Sequence, residues 1–256
     1  MVGNAAEKGW SGFPADPDAR RWAEAAWRTA RTVLAESTEP WRCGGTWFVG
    51  VDALPNDEEG RIDGIPLAGA AVAAARARFG PQRWHRAQLS VIRPGYPRPS
   101  PEESPAAFAF RRDRAAAHVD GLIADGPDKR RFIAEPHAFI LGVALSEADP
   151  DAAPLVVWEG SHHLIRAALG EALAASANPD WGQVDITDAY QTARREAFAR
   201  CPRRALPLRP GEAVLLDRHL LHGVAPWADT AQAAPEGRAI AYFRPMLSNV
   251  PAWAGP

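Results

Sequence analysis

From Gln88 onward the apolar residues come in short β-branched or aromatic segments, each closed off by Gly, Pro or Asp. The segments are 88–93, 117–121, 139–145, 155–158, 206–209, 213–216 and 239–243. Runs of this length and make-up read as strands. Many short strands punctuated in this way suggest a sandwich or jelly roll. The expected fold class is mainly β with flanking helices.

Helical periodicity appears in four places. Residues 18–36 carry Ala23, Ala26, Trp27, Ala30 and Leu34 on one stripe, the pattern of an amphipathic helix packed on something larger. Residues 67–79 end at Gly80-Pro81, a stop signal followed by a residue that cannot continue a helix. Residues 163–175 and 187–200 are also helical, the second with Thr187 as N-cap. With 256 residues, 46% of them apolar, one sizeable core is affordable. The expected organisation is a single domain over 1–256. In it, residues 1–87 pack on a barrel formed by 88–248, and 163–200 make a helical insertion. The stretches 94–116 and 122–135, rich in Pro, Asp and Arg, read as surface loops.

Charge and cysteine content narrow the function. Lys and Arg number 29 against 31 Asp and Glu, and no long basic run offers a footprint for phosphate backbones. Nucleic acid is not an expected partner. Residues 1–14 show no basic segment followed by an apolar stretch, and nowhere do about 18 apolar residues run uninterrupted. A membrane partner is not expected, and a cytoplasmic location is. Cys43 and Cys201 are too few for a disulfide framework. That fits a reducing compartment.

The chemistry gathers at Ala117-His118-Val119-Asp120-Gly121. On a strand, a spacing of two sends His118 and Asp120 to the same face, where together they can grip a cation. A third ligand is available in Leu220-Leu221-His222-Gly223. His219 lies three positions earlier and competes with His222, but it faces the other way on an extended strand. Two imidazoles and one carboxylate are the ligand set of non-haem Fe(II) oxygenases, which leaves open positions for cosubstrate and O2.

Five segments occur in a telling order: His118-x-Asp120, residues 154–162 with Glu159-Gly160-Ser161-His162, residues 210–216 beginning Pro210-Gly211-Glu212, Leu221-His222-Gly223, and Arg238. In this order they resemble the phytanoyl-CoA dioxygenase family of Fe(II)/2-oxoglutarate-dependent oxygenases, across about residues 88–245. The resemblance implies a double-stranded β-helix, a cupin-like jelly roll, with Fe(II) held by His118, Asp120 and His222. It implies 2-oxoglutarate as cosubstrate, its far carboxylate paired with Arg238 on the last core strand. A guanidinium suits that task because it meets a carboxylate bidentately and keeps its charge when desolvated. Arg244, six residues on and on the same face, is the competing arginine.

The corresponding family strand also implies a cosubstrate or substrate contact for Gln88, with Ser90 beside it; a solvent-facing pair is the alternative. Trp158 is a candidate for the substrate wall, although most of the ten tryptophans serve packing. His137, His162 and His163 read as structural hydrogen-bonders. Because Asp120 is a carboxylate, the resemblance implies hydroxylation rather than halogenation of a small organic substrate, with O2 consumed and succinate and CO2 released. Two alternatives stay open at this point. One is a cupin-like metalloenzyme independent of 2-oxoglutarate, and the other is a binding protein that keeps the barrel without turnover.

Overall fold

A computed structural model of the chain describes residues 5–101 and 103–255. Residues 1–4 of the N-terminal stretch and Glu102 of the expected 94–116 loop lie outside the described residues. The strands are β1 (Trp10–Phe13), β2 (Trp47–Gly50), β3 (Gln88–Ile92), β4 (Leu122–Asp125), β5 (Arg130–Ile133), β6 (Phe139–Ala144), β7 (Leu155–Trp158), β8 (Arg203–Leu206), β9 (Ala213–Asp217), β10 (His222–Val224) and β11 (Arg238–Phe243). The helices are α1 (Ala5–Lys8), α2 (Pro17–Glu36), α3 (Arg42–Gly45), α4 (Ala70–Phe79), α5 (Pro105–Arg114), α6 (Ser161–Leu173), α7 (Thr187–Arg200) and α8 (Val250–Ala254). No helix among the described residues is long and apolar enough to cross a membrane.

Two antiparallel sheets form the jelly-roll core. The larger has the order β1-β9-β6-β11-β3-β2, and the smaller β10-β7-β8. His118 lengthens the smaller sheet by a bridge to His222. Alternation along the strands sorts the side chains. On β11, Ala239, Ala241 and Phe243 join Leu89 and Val91 of β3 in an outer layer with Trp22, Ala26 and Ala30 of α2 and Val72 and Ala75 of α4. Arg238, Ile240 and Tyr242 therefore face the barrel interior, opposite Ile92, Ser90 and Gln88 of β3. On β7, Leu155 and Val157 meet Val214 and Leu216 of β9 inside the barrel. Val156 and Trp158 point outward into a layer with Leu169 of α6 and Tyr190 of α7.

Small residues let α2 lie close to the sheet: Ala23, Ala25, Ala26 and Ala30 are buried with Trp22. The Trp22 indole donates to Gly60 O at 2.7 Å. Asp16 caps two helices at once. Its Oδ1 accepts from Asp18 N and Ala19 N, and its Oδ2 from Ala70 N at 2.7 Å. These backbone hydrogen bonds outweigh burial and hold its carboxyl below the usual range.

Several local expectations shift. The expected strand 117–121 is a single bridge at His118, because Ala115 and Ala116 before it and Gly121 after it are all left-handed. The expected surface loop 122–135 is the hairpin β4–β5, polar because one face of a two-stranded ribbon meets water. Within 94–116 stands α5, started by Ser104 Oγ accepting from Ala107 N with Pro105 in the first turn. The strand expected at 206–209 is β8, which stops before Pro207, a residue with no N–H for the ladder. Two strands of the larger sheet, β1 and β2, come from the first 87 residues.

Candidate metal centre

His118 and His222 are held face to face by the backbone. His118 N donates to His222 O at 2.8 Å and His222 N to His118 O at 3.0 Å. Each ring then donates its Nδ1–H to a carbonyl two residues back: His118 to Ala116 O at 3.0 Å, His222 to Leu220 O at 2.9 Å. With Nδ1–H so engaged, Nε2 is the nitrogen each ring turns toward the site, available to a cation once it carries no proton. Both converge on Asp120 Oδ1, His118 Nε2 at 3.1 Å and His222 Nε2 at 3.7 Å. The candidate ligand atoms of the three residues all lie within 4.8 Å of one another. Spacing by two places His118 and Asp120 together as expected, although the segment is hardly a strand.

The site opens on one side, since the His118 side chain is 47% exposed whereas Asp120 and His222 are nearly buried. Burial alone raises the pKa of Asp120, but the hydrogen bond from His118 and the charges of His222, His118 and Arg244 hold it well below the usual carboxylate range. Burial, partly offset by the Asp120 charge, lowers His222 to about 4. For His118 burial again lowers the pKa, and the bond to Asp120 with its charge reverses the direction to a net rise. One ionised carboxylate and at least one neutral imidazole are thus ready for a divalent ion.

A cavity of about 310 Å³ adjoins the three residues, walled on the β3 and β11 side by Gln88, Ser90, Tyr242 and Arg244, and bounded by Trp47 and Val224. Arg244 binds through both amino groups: Nη1 donates to Asp120 Oδ2 at 3.3 Å and Nη2 to Gln88 Oε1. Gln88 therefore steers an arginine at the mouth, while Ser90 Oγ accepts from the Trp47 indole at 3.0 Å. Arg238 sits at the other end of β11, six residues or about 20 Å of strand away. It is 6% exposed, lies beside Tyr242, and its Nε and Nη2 have no hydrogen-bond partner. A buried guanidinium left so is costly unless an anion meets it.

Other expected residues lie elsewhere. Trp158 is on the outer face of β7, its ring 5.2 Å from Phe198, and does not line the cavity. His219 turns away from the centre, stacking edge-on with Trp253 at 4.3 Å. His162 donates Nε2–H to Ala6 O at 3.1 Å and His163 accepts from Arg166. His137 is buried on the wall of a neighbouring cavity and meets Glu135 at 3.1 Å. Sequence reasoning missed Glu135, Tyr242 and Trp47. Glu135 carried no signal, because its place depends on the β4–β5 hairpin folding back onto Gly121. Tyr242 was legible in principle, since it shares a strand face with Arg238 and Arg244.

No protein-family model matches the sequence, and no curated protein matches it. Solved structures do match in fold. The non-heme alpha ketoglutarate dependent carbocyclase SnoK from nogalamycin biosynthesis is 15% identical with a TM-score of 0.53, over 94% of this chain and 81% of SnoK. The epimerase SnoN, in complex with Fe3+, alpha ketoglutarate and nogalamycin RO, is 18% identical with a TM-score of 0.52, over 94% of this chain and 80% of SnoN. At these identities the likeness is one of fold: the chain shares the jelly-roll architecture of these proteins and brings its own His118-Asp120-His222 group to it.

Proposed function

We propose that this chain is a non-haem Fe(II)- and 2-oxoglutarate-dependent oxygenase that hydroxylates an organic metabolite, consuming O2 and releasing succinate and CO2. The observation that carries the proposal is the convergence of His118 Nε2, His222 Nε2 and Asp120 Oδ1 at the mouth of a jelly roll whose inner face also holds a buried arginine with two nitrogens lacking partners. Two nitrogens and one carboxylate oxygen suit Fe(II), and Arg238, with two nitrogens lacking partners, suits the far carboxylate of 2-oxoglutarate. SnoK, named as alpha ketoglutarate dependent, and SnoN, in complex with Fe3+ and alpha ketoglutarate, support the same reading, as does the ordered resemblance to the phytanoyl-CoA dioxygenase family.

When bound, the metal and cosubstrate supply the oxidising power; the chain supplies geometry and shelter. Ala116 O and Leu220 O orient the two imidazoles. Arg244 fixes the Asp120 carboxylate from its Oδ2 side, leaving Oδ1 toward the histidines. Tyr242 lies between the mouth and the buried Arg238, lining the cavity and touching the guanidinium. Ile140, Leu155 and Val224 keep water from the inner wall.

The test is anaerobic titration of the protein with Fe(II) and then 2-oxoglutarate. Chelation is expected to give a weak visible charge-transfer band that Arg238→Met shifts to at least tenfold higher 2-oxoglutarate concentration. In air, succinate is expected. Absence of both band and succinate would sink the proposal, and an unshifted band in Arg238→Met would remove Arg238 from it.

A further inference from the structure

The metal cavity continues sideways. A second cavity of about 440 Å³ shares Val51, Glu135 and Arg244 with it. Of these three, Val51 is apolar and 62% exposed, and Arg244 is engaged by Asp120 and Gln88. Glu135 is different. Its side chain is 48% exposed, and among the described residues its ion-pair contact is His137 Nε2 at 3.1 Å, a histidine buried within the wall. No arginine or lysine of the described residues lies within ion-pair distance of it, although Arg83 and Arg244 line the same second cavity.

The backbone holds this carboxylate in place. Ala134 N and Glu135 N both donate to Gly121 O, at 3.0 and 3.2 Å, and His137 N donates to Glu135 O at 2.9 Å. Gly121, with φ at +84°, approaches so closely that a Cβ there would fall 2.0 Å from Glu135 O. Glu135 is thus tied to the turn immediately after Asp120. A carboxylate accepts hydrogen bonds and donates none, and this one, on an anchored backbone, stands where the two cavities meet with no arginine or lysine of the described residues in ion-pair contact, Arg244 beside it being engaged by Asp120 and Gln88. The first cavity is also lined by an apolar strip: Val49 on the inner face of β2, followed by Val51.

We propose that Glu135 docks the substrate, its carboxylate receiving a hydrogen-bond-donating head, either a hydroxyl or an ammonium group, while the apolar body lies along Val49 and Val51 beside the metal ligands. The assignment rests on the reading that oxidation occurs at His118, Asp120 and His222. A carboxylate-headed substrate is disfavoured by like charge, and a purely apolar one by stripping water from Glu135 without replacing its hydrogen bonds.

Calorimetric titration of the full chain, without added metal, with phenylbutylamine, phenylbutanol and phenylbutanoate tests this, since the three probes differ in the head alone. The amine and the alcohol are expected to bind at least about tenfold more tightly than the carboxylate. Glu135→Gln keeps an acceptor and removes the charge. If the head is an ammonium group, the amine weakens about tenfold in this variant; if it is a hydroxyl, the alcohol remains the tightest probe, within about threefold. Asp52→Asn, in the same second cavity, is expected to leave the order unchanged. The proposal is overturned if phenylbutanoate binds as tightly as the others, if amine and alcohol do not bind, or if a folded Glu135→Ala keeps the wild-type order. Because neither Fe(II) nor 2-oxoglutarate is present, these outcomes are separate from the charge-transfer test of the oxygenase itself.

Discussion

Two groups of one aspartate and two histidines flank the loop that leads into β10. Asp120, His118 and His222 gather on its barrel side, while Asp217, His219 and His162 gather on its α6 side. Their composition is the same, and their geometry is opposite. In the first group both rings spend Nδ1–H on backbone carbonyls and turn Nε2 toward one carboxylate oxygen. In the second, His162 spends Nε2 on Ala6 O, His219 Nε2 has no partner, and Asp217 is bound by Arg78 at 3.3 Å and by His219 N at 3.0 Å. The first is open through His118; the second is sealed, with His219 and His162 at 1% and 2% exposure. Nε2 atoms converging on a carboxylate at a mouth make a candidate metal centre, and the same residue types sealed behind a loop make a brace for it. Ser161 completes that brace by accepting from Leu221 N at 2.9 Å, next to the ligand itself.

The sharpest way to break the comparison is to remove each aspartate in turn. Asp120→Ala is expected to weaken Fe(II) binding at least about 100-fold, beyond the usual cost of losing an outer-shell partner, with the fold retained by circular dichroism. Fe(II) affinity near wild type would place the metal elsewhere. Asp217→Asn should do the reverse, costing about 2–3 kcal/mol of unfolding free energy through the lost charge-assisted hydrogen bonds, while the folded fraction still binds Fe(II) within a few-fold of wild type. Chemical denaturation and metal titration on the same samples separate the two. A variant stable as wild type but unable to bind Fe(II) would make Asp217 part of the centre.

Arg244→Met probes the link between carboxylate and barrel. Arg244 orients Asp120 and touches Gln88, so its loss is expected to weaken Fe(II) binding about tenfold, measured by the same titration; an unchanged affinity would show that the histidines alone orient Asp120.

What the sequence made legible follows the same division. His118 and Asp120 were readable because a spacing of two is a geometric statement even on a short extended piece, and β3, β6, β7, β9 and β11 because strands buried in a core must be apolar. Arg244 was readable as a rival to Arg238, but its partner Asp120 lies far away in sequence, and nothing local encodes such a pairing. The β4–β5 hairpin and α5 were missed because their signals are polar. Arg130, Arg131 and Asp125 mask the alternation of the hairpin, and the Ser104-Pro105 start of α5 is followed by a helix with no buried residue. β1 and β2 gain their stability as outer strands of a sheet whose centre is formed by later residues, so their own four-residue segments carry little pattern.

The smallest expected effect is a pH dependence to which the sealed group contributes. Burial lowers the pKa of His219 against the hydrogen bond and charge of Asp217, and it lowers His162 against the same charge. A histidine whose folded pKa is depressed binds fewer protons folded than unfolded, so stability is complete above the unfolded value near 6.5 and declines as pH falls below it. Each contributes a slope of at most about 1.4 kcal/mol per pH unit. Asp217, also held low because its bonds from His219 outweigh burial, acts in a separate window and loses its contribution only as pH falls below about 3.8. Metal-free protein is therefore expected to lose on the order of 1 kcal/mol between pH 7 and 5.5 by urea denaturation. His222 and His137, lowered in the same direction by burial, add to the loss in metal-free protein, and His118, raised by Asp120, offsets part of it. His162→Gln should flatten the profile in proportion to its share. A profile unchanged in His162→Gln would assign the slope to the other buried histidines, His219, His222 and His137, and would leave His162 as a packing residue held by Ala6.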